Sequence, residues 1–153
     1  MLKPAWYLPD TDWYRQLPDT AGLDDDTQAL LGLAATLFGH DSGYGPAKTI
    51  AATAVILVAA EHLGEAMTIF AGQHDLAEVT RLICGLNLLQ AHLAQTLENI
   101  ATNLDVRGFD GLASVPTEVM RPLVDTLVSA CTDAEMVAGQ LKDAHLALRT
   151  AAR

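Results

Sequence analysis

A histidine and a cysteine in the apolar middle of the chain are the first residues whose chemistry has to be considered. If the segments flanking Gly72 form two antiparallel helices, His62 and Cys84 lie at the same level. A histidine can activate a cysteine thiolate as a nucleophile, and with Glu61 or Glu65 the pair would offer the donors that zinc prefers. No oxyanion donor and no defined third ligand accompany the pair. We therefore interpret both as core residues and predict no catalytic residue, no metal site and no cofactor.

A row of apolar residues with alternating spacings of three and four follows Asp75, and only Gln90 interrupts it. The row consists of Leu76, Val79, Ile83, Leu86, Gln90, Leu93, Leu97, Ile100 and Leu104. This period predicts a long helix packed at a shallow angle. Gln90 in the row either fixes the register or, with Asn87, His62 and Cys84, binds a small apolar ligand between the second and third helices. Both interpretations stay open at this point.

The composition limits the classes of function. The chain has 153 residues, half of them apolar, 18% charged, and a net charge of −10, which disfavours direct nucleic-acid binding. The longest uncharged stretch, residues 49–60, is shorter than the roughly 20 residues that span a bilayer, and the first ten residues lack the apolar run of a secretory signal. Cys84 and Cys131 fit a reducing compartment. We expect a cytoplasmic protein that binds neither nucleic acid nor membrane.

Helix signals divide the rest of the chain into four segments. Acidic residues at 24–26 begin a helix that extends to Phe38, Pro46 begins a second that ends before Gly72, the third covers about 75–104, and Ser114 precedes a fourth that continues to the end. Short connections predict an all-α, antiparallel four-helix bundle over residues 24–153. The second helix is apolar nearly all round, which predicts that protein surrounds it. The predicted inner side of the fourth comprises Val119, Leu123, Leu127, Ala130, Cys131, Ala134, Val137, Leu141, Ala144 and Leu148.

Residues 1–23 form a separate N-terminal arm with a near-duplication, in which Trp6-Tyr7 and Trp13-Tyr14 are each followed by Leu-Pro-Asp-Thr. Pro9 prevents one helix from containing both pairs. Four aromatic side chains so close together must be buried, so we predict that they anchor the arm on the bundle. The arm covers either its own subunit or, as a swapped element, its neighbour.

These observations predict a non-enzymatic regulatory or accessory protein-interaction module that acts as a homodimer. The arm and the second helix would form the self-association surface, and the acidic first helix would face a basic protein partner. The alternative is a small-molecule-binding bundle with its ligand in the core near His62, Cys84, Asn87 and Gln90.

Overall fold

The structure is a computed structural model that describes residues 24–151. These residues form four α helices: α1 (Asp25–Phe38), α2 (Pro46–Ile69), α3 (Leu76–Asp105) and α4 (Thr117–Ala151). Short 3-10 turns at His40–Ser42, Ala71–Gln73 and Leu112–Ser114 connect them, and the described part of the chain contains no strand. The predicted all-α, four-helix fold is confirmed. The arm, including Trp6, Tyr7, Trp13 and Tyr14, lies outside the described residues.

Helix α1 begins where the acidic run predicted. Asp24 is its N-cap, and a carboxylate oxygen of Asp24 accepts a hydrogen bond of 2.7 Å from the backbone N–H of Thr27. This bond, together with one from the Thr27 hydroxyl, holds the pKa of the Asp24 carboxyl below its ordinary value. The helix ends at Phe38, and the N–H of Gly39 still bonds the carbonyl of Ala35. Local capping chemistry therefore sets both ends of α1.

Helix α2 begins with Pro46 in its first turn and remains helical for 24 residues. None of its residues is buried, and aliphatic side chains such as Ile50 and Val58 are exposed, so the prediction that protein surrounds α2 is not met within the unit that α2 forms with α1, and cover by another subunit stays a prediction. By length and apolar composition alone, α2 is the one helix within residues 24–151 that could cross a membrane. Within this unit the helix therefore has an exposed apolar surface.

The described residues form two compact units, one containing α1 and α2 and the other α3 and α4, divided after Asp75. In the second unit the helices are antiparallel neighbours: side chains of Asn87, Cys131 and His145 reach backbone carbonyls of Ala138, Ala94 and Thr80 on the opposite helix. The three pairs share one register. Helices α3 and α4 thus form an α-helical hairpin.

The seam of this hairpin, where α3 and α4 meet, is built from small residues. Ala91, Ala94, Ala134 and Ala138 form its central cluster, and the larger Leu97 packs against the edge of that cluster. Alanine side chains allow two helix backbones to approach more closely than leucine side chains do, because interaxial distance follows the size of the side chains at the contact. Close backbone approach is therefore the basis of the hairpin.

The buried positions lie beside the ones that the sequence pattern predicted. On α3 they are Thr80, Arg81, Cys84, Asn87, Ala91, Ala94 and Ala101, and on α4 they are Met120, Cys131, Ala134, Ala138 and His145. Most of those on α3 follow a member of the predicted apolar row by one residue, which turns the row about 100° away from the seam. Of the predicted inner side of α4, Val119, Leu123 and Val137 are exposed. For these positions the predicted inner faces are wrong.

Arg107 closes the connection between α3 and α4. It has a left-handed backbone (φ 55°), and the N–H of Gly108 bonds the carbonyl of Asn103 in a Schellman-type helix end. Its guanidinium donates hydrogen bonds of 2.8 Å to the carbonyls of both Leu112 and Val115. One arginine side chain thereby ties the start of α4 to the end of α3.

Enlarging a seam alanine tests the close approach of the two helices. Ala138→Leu places three extra carbons at a fully buried position, which forces the backbones apart and should lower the free energy of unfolding by about 1–3 kcal/mol or more. Urea denaturation measures the change. Ala147→Leu, at an exposed position of α4, is the matched control and should shift stability by no more than about 0.5 kcal/mol. Equal effects of the two substitutions would contradict the close-packed seam.

Candidate functional site

Buried polar side chains lie along the alanine seam and make its cross-helix hydrogen bonds. The Asn87 amide donates to the Ala138 carbonyl at 2.7 Å, and the Cys131 thiol donates to the Ala94 carbonyl at 3.4 Å. Each acceptor is a helix carbonyl that has a second lone pair beyond its intrahelical bond. The seam therefore satisfies these polar groups on backbone of the opposite helix, which only a close helix approach allows.

His145 makes the third such contact. Its side chain is almost fully buried, and Nδ1 lies 3.0 Å from the carbonyl oxygen of Thr80. Because a carbonyl oxygen only accepts hydrogen bonds, Nδ1 must carry the proton in this contact. The hydroxyl of Thr80 bonds back to the carbonyl of Leu76. His145 thus orients one end of the hairpin, near the start of α3.

Three of the four residues predicted to hold a small ligand lie on α3. Cys84 and Asn87 are fully buried, and Gln90 is half-buried, with its amide nitrogen 3.5 Å from the carbonyl of Ala134. The amides of Asn87 and Gln90 contact successive turns of α4. This geometry supports the register role that the sequence left open beside ligand binding.

His62, the fourth predicted residue, is exposed on α2 and belongs to the unit that contains α1 and α2. The structure describes that unit by itself, so a ligand site shared by His62 and the three residues of α3 stays a prediction. The interpretation of His62 as a buried core residue is wrong within the single chain. Its imidazole is accessible to water.

Burial makes the thiol of Cys84 a weaker acid and therefore less reactive. Burial raises its pKa from 9.0 to about 11, and the nearby Arg149 guanidinium opposes this shift without cancelling it. At neutral pH the residue is therefore a protonated thiol, and the thiolate is the form that acts as nucleophile or metal ligand. The thiol's protonation and burial support a packing role for Cys84.

A groove on the surface of the hairpin holds the other cysteine. It is lined by Cys131, Glu98, Asp105 and Glu135 with neighbouring aliphatic residues, and the Cys131 thiol is 3.5 Å from a carboxylate oxygen of Glu135. Within residues 24–151 no group of three or more histidine, cysteine or acidic side chains has a geometry that could hold a metal ion. The groove therefore offers an acidic surface without a metal-binding arrangement.

His145 and Thr80 are buried polar residues that the sequence reasoning did not single out. For Thr80 the signal was a second row of mostly small residues on α3, one position after the conspicuous leucine row, that contains Cys84, Asn87, Ala91 and Ala94. Alanine carries little weight in a hydrophobic pattern, so the leucine row concealed this one. Polar residues in an alanine row would have been the signal to look for.

Comparisons of the chain with protein-family models, with curated proteins and with solved structures find no match. Function must therefore be argued from the residues and their geometry.

Removing the buried amide tests its role in the seam. Asn87→Leu deletes the donor to Ala138 and should lower the free energy of unfolding by about 1–3 kcal/mol. Chemical denaturation monitored by circular dichroism gives the value. Asn99→Leu, at an exposed site of the same helix, should change it by no more than about 0.5 kcal/mol. A neutral or stabilising Asn87→Leu would show that the amide contributes nothing to the hairpin.

The raised pKa of Cys84 predicts a specific pH dependence. In a Cys131→Ser protein, iodoacetamide should alkylate native Cys84 at pH 8 far more slowly than it alkylates the same thiol in the denatured chain, because the native thiol is buried and protonated. Because the folded-state pKa lies above the unfolded value near 9.0, Cys84 contributes stability that is fully present below pH 9 and lost as pH rises towards about 11. Cys84→Ala should flatten that part of the stability curve. Alkylation of the native protein as fast as that of the denatured chain would contradict the burial argument.

Proposed function

We propose that this chain is a non-enzymatic helical interaction module that acts as a homodimer, in a regulatory or accessory role. The observation that carries the proposal is the division of side chains in the hairpin. Its seam uses small residues, while the large apolar residues of the row from Leu76 to Leu104 lie outside the seam, except that Leu97 packs against its edge. Partly exposed apolar rows of this length are typical of surfaces that meet another protein.

The outer row of α3, defined by the nine residues given above, remains accessible along its length. Leu93 and Ile100 are 37% and 36% exposed, Leu76 is 43% exposed, and other members are half-buried. At 1.5 Å per residue the row extends for about 40 Å, and its heptad spacing suits a second helix at a shallow crossing angle. The row therefore fits a helical partner better than a compact ligand.

The spacing of the row favours a second copy of the chain as that partner. Gln90 is its midpoint, and the apolar residues on either side lie at nearly equal distances from it, with Leu76 and Leu104 at the ends. Two copies of α3, antiparallel about a twofold axis at Gln90, would place apolar residues opposite apolar residues.

The apolar surface of α2 would form the second part of the association surface. Its length alone would also fit a bilayer, but Glu61 and Glu65 lie within the helix and less than three turns from its midpoint. A charged residue near the centre of a membrane-spanning helix costs about 2.5–3.5 kcal/mol on insertion scales. We therefore propose protein, rather than lipid, as the cover of α2, and retain a cytoplasmic location as part of the proposal.

The regulatory or accessory role would use two further parts of the chain. Asp24, Asp25 and Asp26 are exposed at the start of α1 and would attract a basic protein partner. The aromatic arm, with anchors Trp6, Tyr7, Trp13 and Tyr14, would complete the dimer by covering apolar helix surface. Both assignments rest on residue type and charge.

Charged substitutions in the outer row of α3 test the dimer. We expect native mass spectrometry to show a dimer for the wild-type chain and a monomer for Leu93→Lys combined with Ile100→Lys. Two buried aliphatic side chains contribute about 1.5–3 kcal/mol each, so the dissociation constant should rise about 100-fold or more. Circular dichroism should show unchanged helix content, since neither side chain belongs to the alanine cluster of the seam.

The matched control is Thr96→Lys with Asn99→Lys, which adds the same charge at exposed polar positions of α3 and should leave the dimer intact. A dimer that survives the first pair of substitutions would refute the role of the outer row. Binding of the wild-type chain to anionic phospholipid vesicles would assign α2 to lipid instead. A small molecule that stays bound to the protein in native mass spectrometry would instead favour the alternative, a ligand site near Cys84, Asn87 and Gln90.

A further inference from the structure

Arg81 is the one charged residue among the buried residues of α3 and α4. Its side chain is 9% exposed, and two of its nitrogen atoms, Nε and Nη2, are shielded from solvent and have no hydrogen-bond partner within the structure. A guanidinium cannot lose its proton at any ordinary pH, so Arg81 is a buried cation with unused donors. Buried charges are normally paired, because an unpaired one carries a large desolvation cost.

The two unpartnered atoms form one functional edge of the guanidinium. Nε–H and the adjacent Nη2–H are parallel donors, and together they match the two oxygen atoms of a carboxylate in a bidentate pair. Glu78, one turn earlier on α3, does not supply that pair, because neither nitrogen has a partner. The free edge therefore has the geometry of an oxyanion receptor with no acceptor from the described residues.

Arg149 is a second guanidinium at the same end of the hairpin as Arg81. His145 is held against Thr80, the residue beside Arg81, and Arg149 lies one turn later on α4. Arg149 is close enough to act on the thiol of Cys84, which lies one turn after Arg81 on α3.

We propose that Arg81 is the anchor of a carboxylate-binding site, in which one carboxylate accepts hydrogen bonds from both Nε and Nη2. The carboxylate comes either from a small soluble acid or from an acidic side chain that the described residues do not supply. Because both nitrogen atoms are shielded, the ligand enters with a local displacement of the groups that cover them. This site is independent of the association surface proposed above.

Replacing the guanidinium by an apolar side chain of similar length shows, through the thermal midpoint, whether Arg81 is paired with a carboxylate or unpaired. If an acidic side chain already pairs with Arg81, Arg81→Met should lower the thermal midpoint of the full-length chain by about 5 °C or more. Arg81→Lys should not restore it, because an ammonium lacks the bidentate edge. Arg121→Met, at an exposed position of α4, is the control and should leave the midpoint within about 2 °C.

Malonate, a small dicarboxylate, tests the soluble source in the wild-type chain. Against chloride at equal ionic strength, malonate should raise the thermal midpoint by about 2 °C or more and shift the Nε–H resonance of Arg81, and Arg81→Lys should abolish both effects. If an acidic side chain already fills the site, malonate has no effect, the Nε–H resonance is protected from exchange, and Arg81→Met is destabilising. No malonate response together with a neutral or stabilising Arg81→Met would overturn the proposal.

Discussion

The close approach of α3 and α4 along an alanine seam is the constraint on which the described hairpin depends. Ala91, Ala94, Ala134 and Ala138 remove the side-chain volume that would hold the backbones apart. At that distance the side chain of one helix reaches the carbonyl of the other, as Asn87 does with Ala138. Small residues thus allow polar residues to be buried, since each polar group finds a backbone partner that a leucine seam would place out of reach.

These polar contacts also fix the register of the hairpin. Alanine faces by themselves resemble one another from turn to turn, so a slip by one turn would cost little packing. A slip would, however, separate Asn87 from Ala138 and His145 from Thr80, and would leave buried donors without acceptors. A few hydrogen bonds therefore specify the register, and the alanines set the short distance between the two helices. Arg107 stabilises the connection that joins them.

Helix positions could be predicted from the sequence because their signals are local. Asp24 caps α1 with its own side chain, and Pro46 begins α2 through its fixed backbone angle. The face that α3 presents to α4 could not be predicted in the same way, because two rows with the same period lie one residue apart. Hydrophobicity favours the leucine row as the face that packs against α4, whereas close approach of the two backbones favours the alanine row. Which of the two rows packs depends on the residues that α4 places opposite them. Cys84 was singled out for its thiol and its level with His62, and Asn87 for its polar side chain in apolar sequence, while His145 has no such contrast on its more polar helix.

The use of alanine rather than leucine in the seam has a consequence for stability and association. Alanine burial removes little apolar area from water per residue, so the seam provides specificity and close packing but a modest share of the hydrophobic free energy. The larger share belongs to the leucine, isoleucine and valine side chains that lie outside the seam and on α2, many of which the single chain leaves accessible. Covering those side chains would therefore be a source of free energy that the described helices have not used. A partner that covered them in the folded chain alone would also stabilise the folded state, and association would then be linked to folding stability.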